Sequence, residues 1–288
     1  HVLKSTSAKL KNIGKKHTLF HDSLLATPTL LDSLPLNHTI STIHQHMSRK
    51  LIIAANWKMN KGPAETEAFL EEFLAAAADL TDLADLIIAP NSLSIPTASE
   101  LINDINPAVG LAAQTVSESD NGAFTGETST DMLKELFVNY VIIGHSERRS
   151  IFGETNAQIN AKLKKALSAD ITPLFCIGET LAEREGGQLE TVLGSQIKEG
   201  LEGISDISNV VIAYEPVWAI GTGVTATAQQ AQDTHKFCRS VIEELYGAAA
   251  AAAVRIQYGG SVQGANSAEL LGQPDLDGAI AGLPLIDI

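Results

Sequence analysis

From residue 51 onward, eight short apolar runs alternate with longer segments rich in helix-forming residues. Parallel strands joined by crossover helices give this alternation. The runs lack strict polar alternation, which is typical of strands that are buried on both faces. The predicted strands are residues 51–56, 86–90, 109–113, 140–144, 172–177, 210–214, 254–258 and 278–282.

The segments between these runs predict helices. Residues 64–78, 156–168, 188–201 and 226–246 carry good helix formers with apolar residues three and four apart. The six alanines at 248–253 predict a helix end or a linker. Eight strand and helix units favour an α/β fold of the (β/α)8 TIM barrel type with a single domain, although the count alone leaves an open doubly wound sheet possible.

The first 46 residues do not share this pattern. We expect residues 1–46 to be a disordered extension that precedes a barrel at residues 47–288. Their basic, acid-poor composition is also found in organelle transit peptides, but those are usually rich in arginine, and none occurs here before Arg49. The alternative interpretation is that the natural chain begins at Met47.

Composition excludes several classes of function. The formal net charge of -14 argues against a nucleic-acid partner. Cys176 and Cys238 give neither a disulfide framework nor a pair of metal ligands, so we expect a reducing, cytoplasmic setting. No stretch approaches the roughly 20 apolar residues that cross a bilayer, and we expect no membrane association.

Polar residues follow three of the predicted strands at the point where each strand ends. Asn56 and Lys58 follow the first strand, His145 the fourth and Glu215 the sixth. Each has an ordinary interpretation, as a surface charge, a buried histidine or half of a salt bridge. The carboxyl ends of barrel strands meet at one mouth, so the residues together predict an active site.

The neighbours of these residues suggest their roles. Residues 146–149 are suited to opening a helical turn, whose positive end disfavours a charged His145. A neutral imidazole can donate a hydrogen bond to a substrate carbonyl oxygen. Apolar and aromatic neighbours can desolvate Glu215, which favours a base that takes a proton from carbon. Lys58 would stabilise negative charge on an enediolate, and Asn56 would add a hydrogen-bond donor.

Three groups of small residues are candidates for binding phosphate. Glycines let backbone N–H groups approach anionic oxygens, although each is equally typical of an ordinary turn. The candidates are Gly221-Thr222-Gly223, Gly259-Gly260-Ser261 and Gly282. The first also fits a dinucleotide fingerprint, which leaves a nicotinamide-dependent oxidoreductase as a further hypothesis. No strand-end acid follows about twenty residues later, which argues against that hypothesis.

Several motifs closely resemble the signatures of the triosephosphate isomerase family. Two of these motifs are Phe175-Cys176-Ile177-Gly178-Glu179 and Gln257-Tyr258-Gly259-Gly260-Ser261-Val262. The resemblance runs from about residue 47 to residue 282. The most specific are Ala55-Asn56-Trp57-Lys58-Met59-Asn60, Gly144-His145-Ser146-Glu147-Arg148-Arg149 and Ala213-Tyr214-Glu215-Pro216-Val217-Trp218-Ala219-Ile220-Gly221-Thr222-Gly223.

The resemblance implies interconversion of dihydroxyacetone phosphate and D-glyceraldehyde 3-phosphate through an enediol(ate), in glycolysis and gluconeogenesis, without a metal or organic cofactor. It implies that Glu215 is the proton acceptor, His145 the electrophile, and Asn56 and Lys58 substrate binders. It further implies phosphate contacts from Gly221, Ser261 and Gly282, and supporting roles for Ser146, Glu147 and Thr125.

Two further segments bear on assembly and on the phosphate site. The segment 114–127 resembles the family's long third loop, which implies a homodimer; by itself it is a polar loop of unusual length. Leu283 stands where the family has a second phosphate-contacting glycine, and the family's last helix has no counterpart before Ile288. We therefore expect Leu283 to weaken the phosphate contact. A barrel that binds phosphorylated ligands without turnover is the alternative function.

Overall fold

Residues 49–220, 225–262 and 264–282, which this computed structural model describes, form a closed barrel of eight parallel strands. In chain order the strands are β1 (Leu51–Asn56), β2 (Ala84–Ala89), β3 (Gly110–Ala113), β4 (Tyr140–Ile143), β5 (Thr172–Ile177), β6 (Val211–Tyr214), β7 (Arg255–Tyr258) and β8 (Gly278–Gly282). Each strand pairs with the next, and β8 pairs with β1 from Ile52 opposite Gly278 to Asn56 opposite Gly282.

Helices lie in the connections between the strands. They are α1 (Pro63–Ala76), α2 (Ile95–Ile105), α3 (Thr130–Glu135), α4 (Ser146–Ser150), α5 (Asn156–Ser168), α6 (Leu181–Glu185), α7 (Leu189–Gly200), α8 (Ala228–Tyr246), α9 (Ala248–Ala253) and α10 (Gly264–Leu271). A 3-10 turn at Val217–Ala219 follows β6. None of the helices in the described ranges is long and apolar enough to cross a membrane.

The core has two apolar layers. Strand side chains alternate between the barrel interior and the helices around it, so that Ala54 belongs to the inner layer and Ala55 to the outer one. The inner layer consists of Ile52, Ala54, Ile87, Ala89, Ala112, Ile142, Leu174, Cys176, Val211, Ala213 and Ile280. This filling makes the barrel interior a packed core, and polar chemistry is left to the strand ends.

The barrel fold and its eight strands are confirmed, with strand bounds within two residues of the prediction. The largest difference is the start of β2. This strand begins at Ala84 because Asp85 continues it at the end of the barrel where the strands begin. There Asp85 forms ion pairs with Lys50 and Arg255. Burial acts to raise the pKa of Asp85, but the hydrogen bonds from these two cations outweigh it and lower the pKa.

Local sequence explains where several helices begin. Thr155, Thr180 and Thr227 each cap a helix by accepting an N–H bond, and a Gln or Glu three residues later bonds back to the threonine N–H. Such capping boxes satisfy backbone donors that have no partner within the helix. The segment 248–253 forms its own helix after Gly247, whose φ of 84° ends α8.

Asp277 closes the barrel on the side where β7, β8 and β1 begin. Its buried carboxylate accepts Arg49 Nε at 2.6 Å, Arg239 Nη2 at 2.8 Å and the backbone N–H of Ile256 at 2.8 Å. Its own carbonyl accepts the N–H of Ile52 at 2.9 Å. One buried acid therefore ties the last strand to the first, with all of its charge paired.

His235 predicts how stability depends on pH. Its ring packs against Tyr214 and Tyr258, with Nδ1 3.3 Å from the carbonyl oxygen of Asp275. Burial lowers the pKa of His235 to about 3. An unfolded histidine binds a proton below a pKa of about 6.5, so as pH falls from there the unfolded state gains the proton first. The free energy of unfolding should fall by up to about 1.4 kcal/mol per pH unit.

The check compares denaturant unfolding of the native chain and His235→Gln from pH 7 to pH 5. Glutamine does not titrate, so the variant should lose less stability than the native chain as the pH falls, whatever its stability at pH 7. Parallel pH profiles for the two proteins would show that His235 is not held neutral by burial.

Three predictions fall on residues outside the described ranges. The proposed extension at residues 1–46, the glycine group at 221–223 and Leu283 remain predictions from sequence.

Candidate active site

Lys58 is held in an unusual backbone conformation just past β1. Its φ of 52° lies in the left-handed region, which costs a residue other than glycine roughly 1–3 kcal/mol. Two contacts hold it there: its N–H donates to Asn56 Oδ1 at 3.0 Å, and its carbonyl accepts Gln114 Nε2 at 2.8 Å. The ammonium group then lies 2.6 Å from Glu147 Oε1. Gln114 was not predicted as a site residue, and its position at the end of β3 was the available signal.

His145 caps the helix that opens after β4. Its Nδ1 accepts the backbone N–H of Glu147 at 3.2 Å, and α4 begins at the next residue, Ser146, as the sequence predicted. A ring nitrogen that accepts an N–H bond carries no hydrogen, so the neutral ring has its hydrogen on Nε2. Nε2 lies 3.1 Å from Glu215 Oε1. The imidazole therefore presents a hydrogen-bond donor to the barrel mouth.

Glu215 lies directly after β6 and is only 2% exposed. Its N–H donates to the carbonyl of Ile177 at 2.7 Å, and its Oε2 accepts the N–H of Ser146 at 2.8 Å. The chain closes tightly around it, since a Cβ on Gly178 would lie 1.9 Å from Glu215 O and one on Gly259 2.8 Å from Glu215 Cγ. The carboxylate is thus buried and held in place by backbone contacts.

The structure brings the three predicted catalytic residues together. Contacts run from Lys58 to Glu147, and from His145 to Glu215, with Glu147 also bonded to His145 through its backbone. These residues come from the ends of β1, β4 and β6, which are far apart in sequence. A cation, a neutral donor and a carboxylate at one mouth are the groups needed to move a proton and to stabilise negative charge.

Glu179 is a buried acid just after β5 that the sequence did not predict as a site residue, although it ends one of the family motifs. Its buried Oε1 accepts Tyr214 Oη at 3.1 Å, Trp218 Nε1 at 2.8 Å and Arg184 Nη1 at 2.9 Å. Its carbonyl accepts the N–H of Val217 at 3.1 Å. One acid after β5 therefore anchors the turn that follows Glu215. The available signal was an acidic residue just beyond an apolar strand.

Two of the predicted phosphate contacts, Ser261 and Gly282, are among the described residues and lie at the same mouth of the barrel. Ser261 follows β7 and donates its N–H and hydroxyl to the carbonyl of Ala219, at 3.2 and 2.8 Å. Gly282 ends β8 opposite Asn56. Gly221 and Leu283 lie outside the described residues.

Thr125, predicted as a supporting residue, is exposed on the loop between β3 and α3. The base of this loop is closed by a bond from the N–H of Ser117 to the carbonyl of Thr128 at 2.8 Å. The loop therefore projects from the barrel mouth as a structured segment and presents Thr125 outward.

Cys176 lies in the barrel interior below this mouth. Burial raises the pKa of its thiol well above the usual value, and the nearby charge of Glu215 raises it further. The thiol is therefore protonated and is not a nucleophile. Across the described ranges, no three His, Cys, Asp or Glu side chains are grouped as they would be to hold a metal ion.

A parallel barrel with a buried carboxylate and imidazole in contact, and a lysine beside them, is typical of acid–base enzymes of the (β/α)8 class. The sequence model of the family described as triosephosphate isomerase matches residues 51–286. The chain belongs to the triosephosphate isomerase family and is an isomerase.

The match covers nearly the whole length of several relatives with that name. The triosephosphate isomerase of Chlorobium chlorochromatii is 50% identical over 234 residues, which are 81% of this chain and 92% of the relative. That of Pelodictyon phaeoclathratiforme is 49% identical over the same shares of both chains. That of Dictyoglomus thermophilum is 46% identical over 236 residues, or 81% of this chain and 94% of the relative.

Proposed function

We propose that this isomerase interconverts dihydroxyacetone phosphate and D-glyceraldehyde 3-phosphate through an enediol(ate), with Glu215 as the base. Family membership supports the substrate pair, since relatives with 49–50% sequence identity are named triosephosphate isomerase. The observation that carries the residue roles is the 3.1 Å contact between Glu215 Oε1 and His145 Nε2, both buried at the barrel mouth.

The geometry supports the following division of labour. A substrate oxygen would replace Glu215 Oε1 as the acceptor for the Nε2–H of His145, which frees the carboxylate to take a proton from the adjacent carbon. The same hydrogen bond strengthens as the carbonyl oxygen becomes an enediolate oxygen. His145 is proposed to donate this hydrogen bond as a neutral ring. It then carries no positive charge that would form an ion pair with Glu215 and occupy the carboxylate.

Lys58 and Asn56 are proposed to bind the substrate. The ammonium group of Lys58 is partly exposed and turned toward the mouth, where it can attract a phosphorylated substrate and stabilise an anionic intermediate. Glu147 fixes its position at 2.6 Å. Ser261 and Gly282 are proposed phosphate contacts, because loops after the seventh and eighth strands often hold phosphate in this class of barrel. Gly221 and Leu283 are proposed from sequence alone.

A coupled assay with D-glyceraldehyde 3-phosphate tests the activity directly. We expect turnover in the range of typical enzymes, about 1–1000 per second. Binding of phosphoglycolate without turnover would instead favour a barrel that only binds phosphorylated ligands. A role in glycolysis and gluconeogenesis, in the cytoplasm, is part of the same proposal, and cell fractionation tests the location.

We also propose a homodimer formed through the loop at 114–127. Large apolar side chains are exposed on the loops after β1, β2, β3 and β4, which lie side by side at the barrel mouth. They are Met59, Leu93, Phe124, Ile151 and Phe152. Exposed apolar surface of this kind is typical of a protein interface. A second copy of the chain would cover it and bring Thr125 of that copy toward Lys58.

The assembly prediction uses two matched substitutions. Phe124 is 50% exposed on the loop after β3, whereas Phe137 is 69% exposed at the opposite end of the barrel. In sedimentation experiments the native chain should have about twice the 30.5 kDa mass of one chain. Phe124→Glu should weaken dimerisation by about 30-fold or more. Phe137→Glu should leave it unchanged. A monomeric native chain, or equal effects of the two substitutions, would contradict this interface.

A further inference from the structure

Arg149 connects three elements behind the proposed active site. It lies one helical turn after His145, and its Nε donates to the carbonyl of Gly144 at 2.8 Å. Its Nη2 donates to the carbonyl of Cys176 at 3.0 Å, and its Nη1 to Asn156 Oδ1 at 2.6 Å. One guanidinium therefore holds the end of β4, the end of β5 and the start of α5 at fixed distances.

The contact with Gly144 explains the backbone just before His145. Gly144 has a φ of 74°, in the left-handed region that favours glycine. A Cβ there would lie 3.1 Å from both Arg149 Nη2 and the carbonyl oxygen of Cys176. The guanidinium thus packs against the space that a side chain would need, and it binds the carbonyl of the peptide bond that joins Gly144 to His145.

We propose that Arg149 is a positioning residue that sets the place of the His145 imidazole relative to Glu215; this deepens the proposed function and rests on it. Hydrogen bonds from a charged donor to buried carbonyls are stronger than neutral ones. The planar fork of arginine can serve three acceptors at once, whereas a lysine ammonium keeps the charge but can reach only some of them. A shift of about 1 Å in a catalytic group can cost about 100-fold in rate.

The kinetic test compares Arg149→Met and Arg149→Lys with Arg255→Met. Arg255 binds Asp85 at the other end of the barrel, so the control removes a structural arginine without touching the mouth. Arg149→Met should lower kcat by about 30-fold while KM changes less than about threefold. Arg149→Lys should recover part of the loss. Arg255→Met should lose stability and keep kcat. The proposal is overturned if Arg149→Met lowers kcat no more than the control does.

A spectroscopic test separates this proposal from the proposed function. In the described residues there are two histidines, His145 with its hydrogen on Nε2 and His235 with its hydrogen on Nδ1. Nitrogen-15 NMR of the rings distinguishes these tautomers. Arg149→Met, or Arg149→Lys if the first does not fold, should shift the His145 signals and leave those of His235 in place. Such a shift would support positioning even if the native chain showed no isomerase activity. Unchanged His145 signals would overturn it.

Discussion

Replacing Glu215 with aspartate should lower kcat by about 100-fold or more while the affinity for substrate changes far less. The side chain becomes shorter by one methylene, and the backbone cannot follow. Its N–H is bound to the carbonyl of Ile177, and Gly178 and Gly259 lie so near that a Cβ on either would clash with Glu215. The shortened carboxylate would therefore stop about 1 Å short of the carbon that it has to deprotonate.

The measurement is kcat and KM under conditions where chemistry limits the rate. Glu244→Gln is a suitable control, since Glu244 pairs with Lys198 on the exposed surface of α8 and should not affect turnover. Circular dichroism and the melting temperature of Glu215→Asp should stay close to those of the native chain. If Glu215→Asp keeps turnover within about threefold of the native chain, another residue is the base.

Replacing His145 with glutamine should also reduce kcat by about 100-fold, comparable to the loss of one donor to a developing oxyanion. The amide can still donate a hydrogen bond, but it cannot place that donor where the rigid imidazole ring does. In the native chain Nδ1 is anchored at 3.2 Å to the N–H of Glu147, which aims Nε2 at the position 3.1 Å away where Glu215 Oε1 lies. Glutamine has no ring whose second nitrogen could accept the N–H of Glu147 and so fix the direction of the donor.

Phosphate affinity separates a chemical effect of His145→Gln from a general disturbance of the mouth. Inhibition by inorganic phosphate or phosphoglycolate should stay within about threefold of the native value, since Lys58 and the loops after β7 and β8 are untouched. A fall in kcat with equally weakened inhibition would mean that the substitution deforms the site. Native turnover in His145→Gln would remove the electrophile role.

Much of the fold could be predicted because buried parallel strands leave a strong sequence signal. The eight apolar runs give the strands, and their order along the chain is also their order around the barrel. The exception at Asp85 is informative, since the apolar run begins only at residue 86, whereas Asp85 is a strand residue that pairs with Lys50 and Arg255. Short helices such as α6, with five residues, are too brief to show a period.

The three proposed catalytic residues could be predicted because each stands within two residues of the end of an apolar strand. Barrel closure then places the three together, without any knowledge of side-chain rotamers. The supporting contacts could not be predicted in this way. Arg149 meets the carbonyl of Cys176, 27 positions away, and Glu179 meets Trp218, 39 positions away. Each contact depends on the direction of a long side chain, which the apolar pattern does not report.

Isomerisation in D2O tests proton transfer by Glu215 most directly. D-Glyceraldehyde 3-phosphate is converted by the native chain and by Glu215→Gln, and proton NMR follows the dihydroxyacetone phosphate formed. We predict deuterium on the hydroxymethyl carbon of part of the product, because a proton held by a carboxylate can exchange with solvent before it returns to carbon. Glu215→Gln should form product at least about 100-fold more slowly. Product formed at the native rate by that variant, or product without deuterium from the native chain, would contradict a carboxylate base acting through an enediolate.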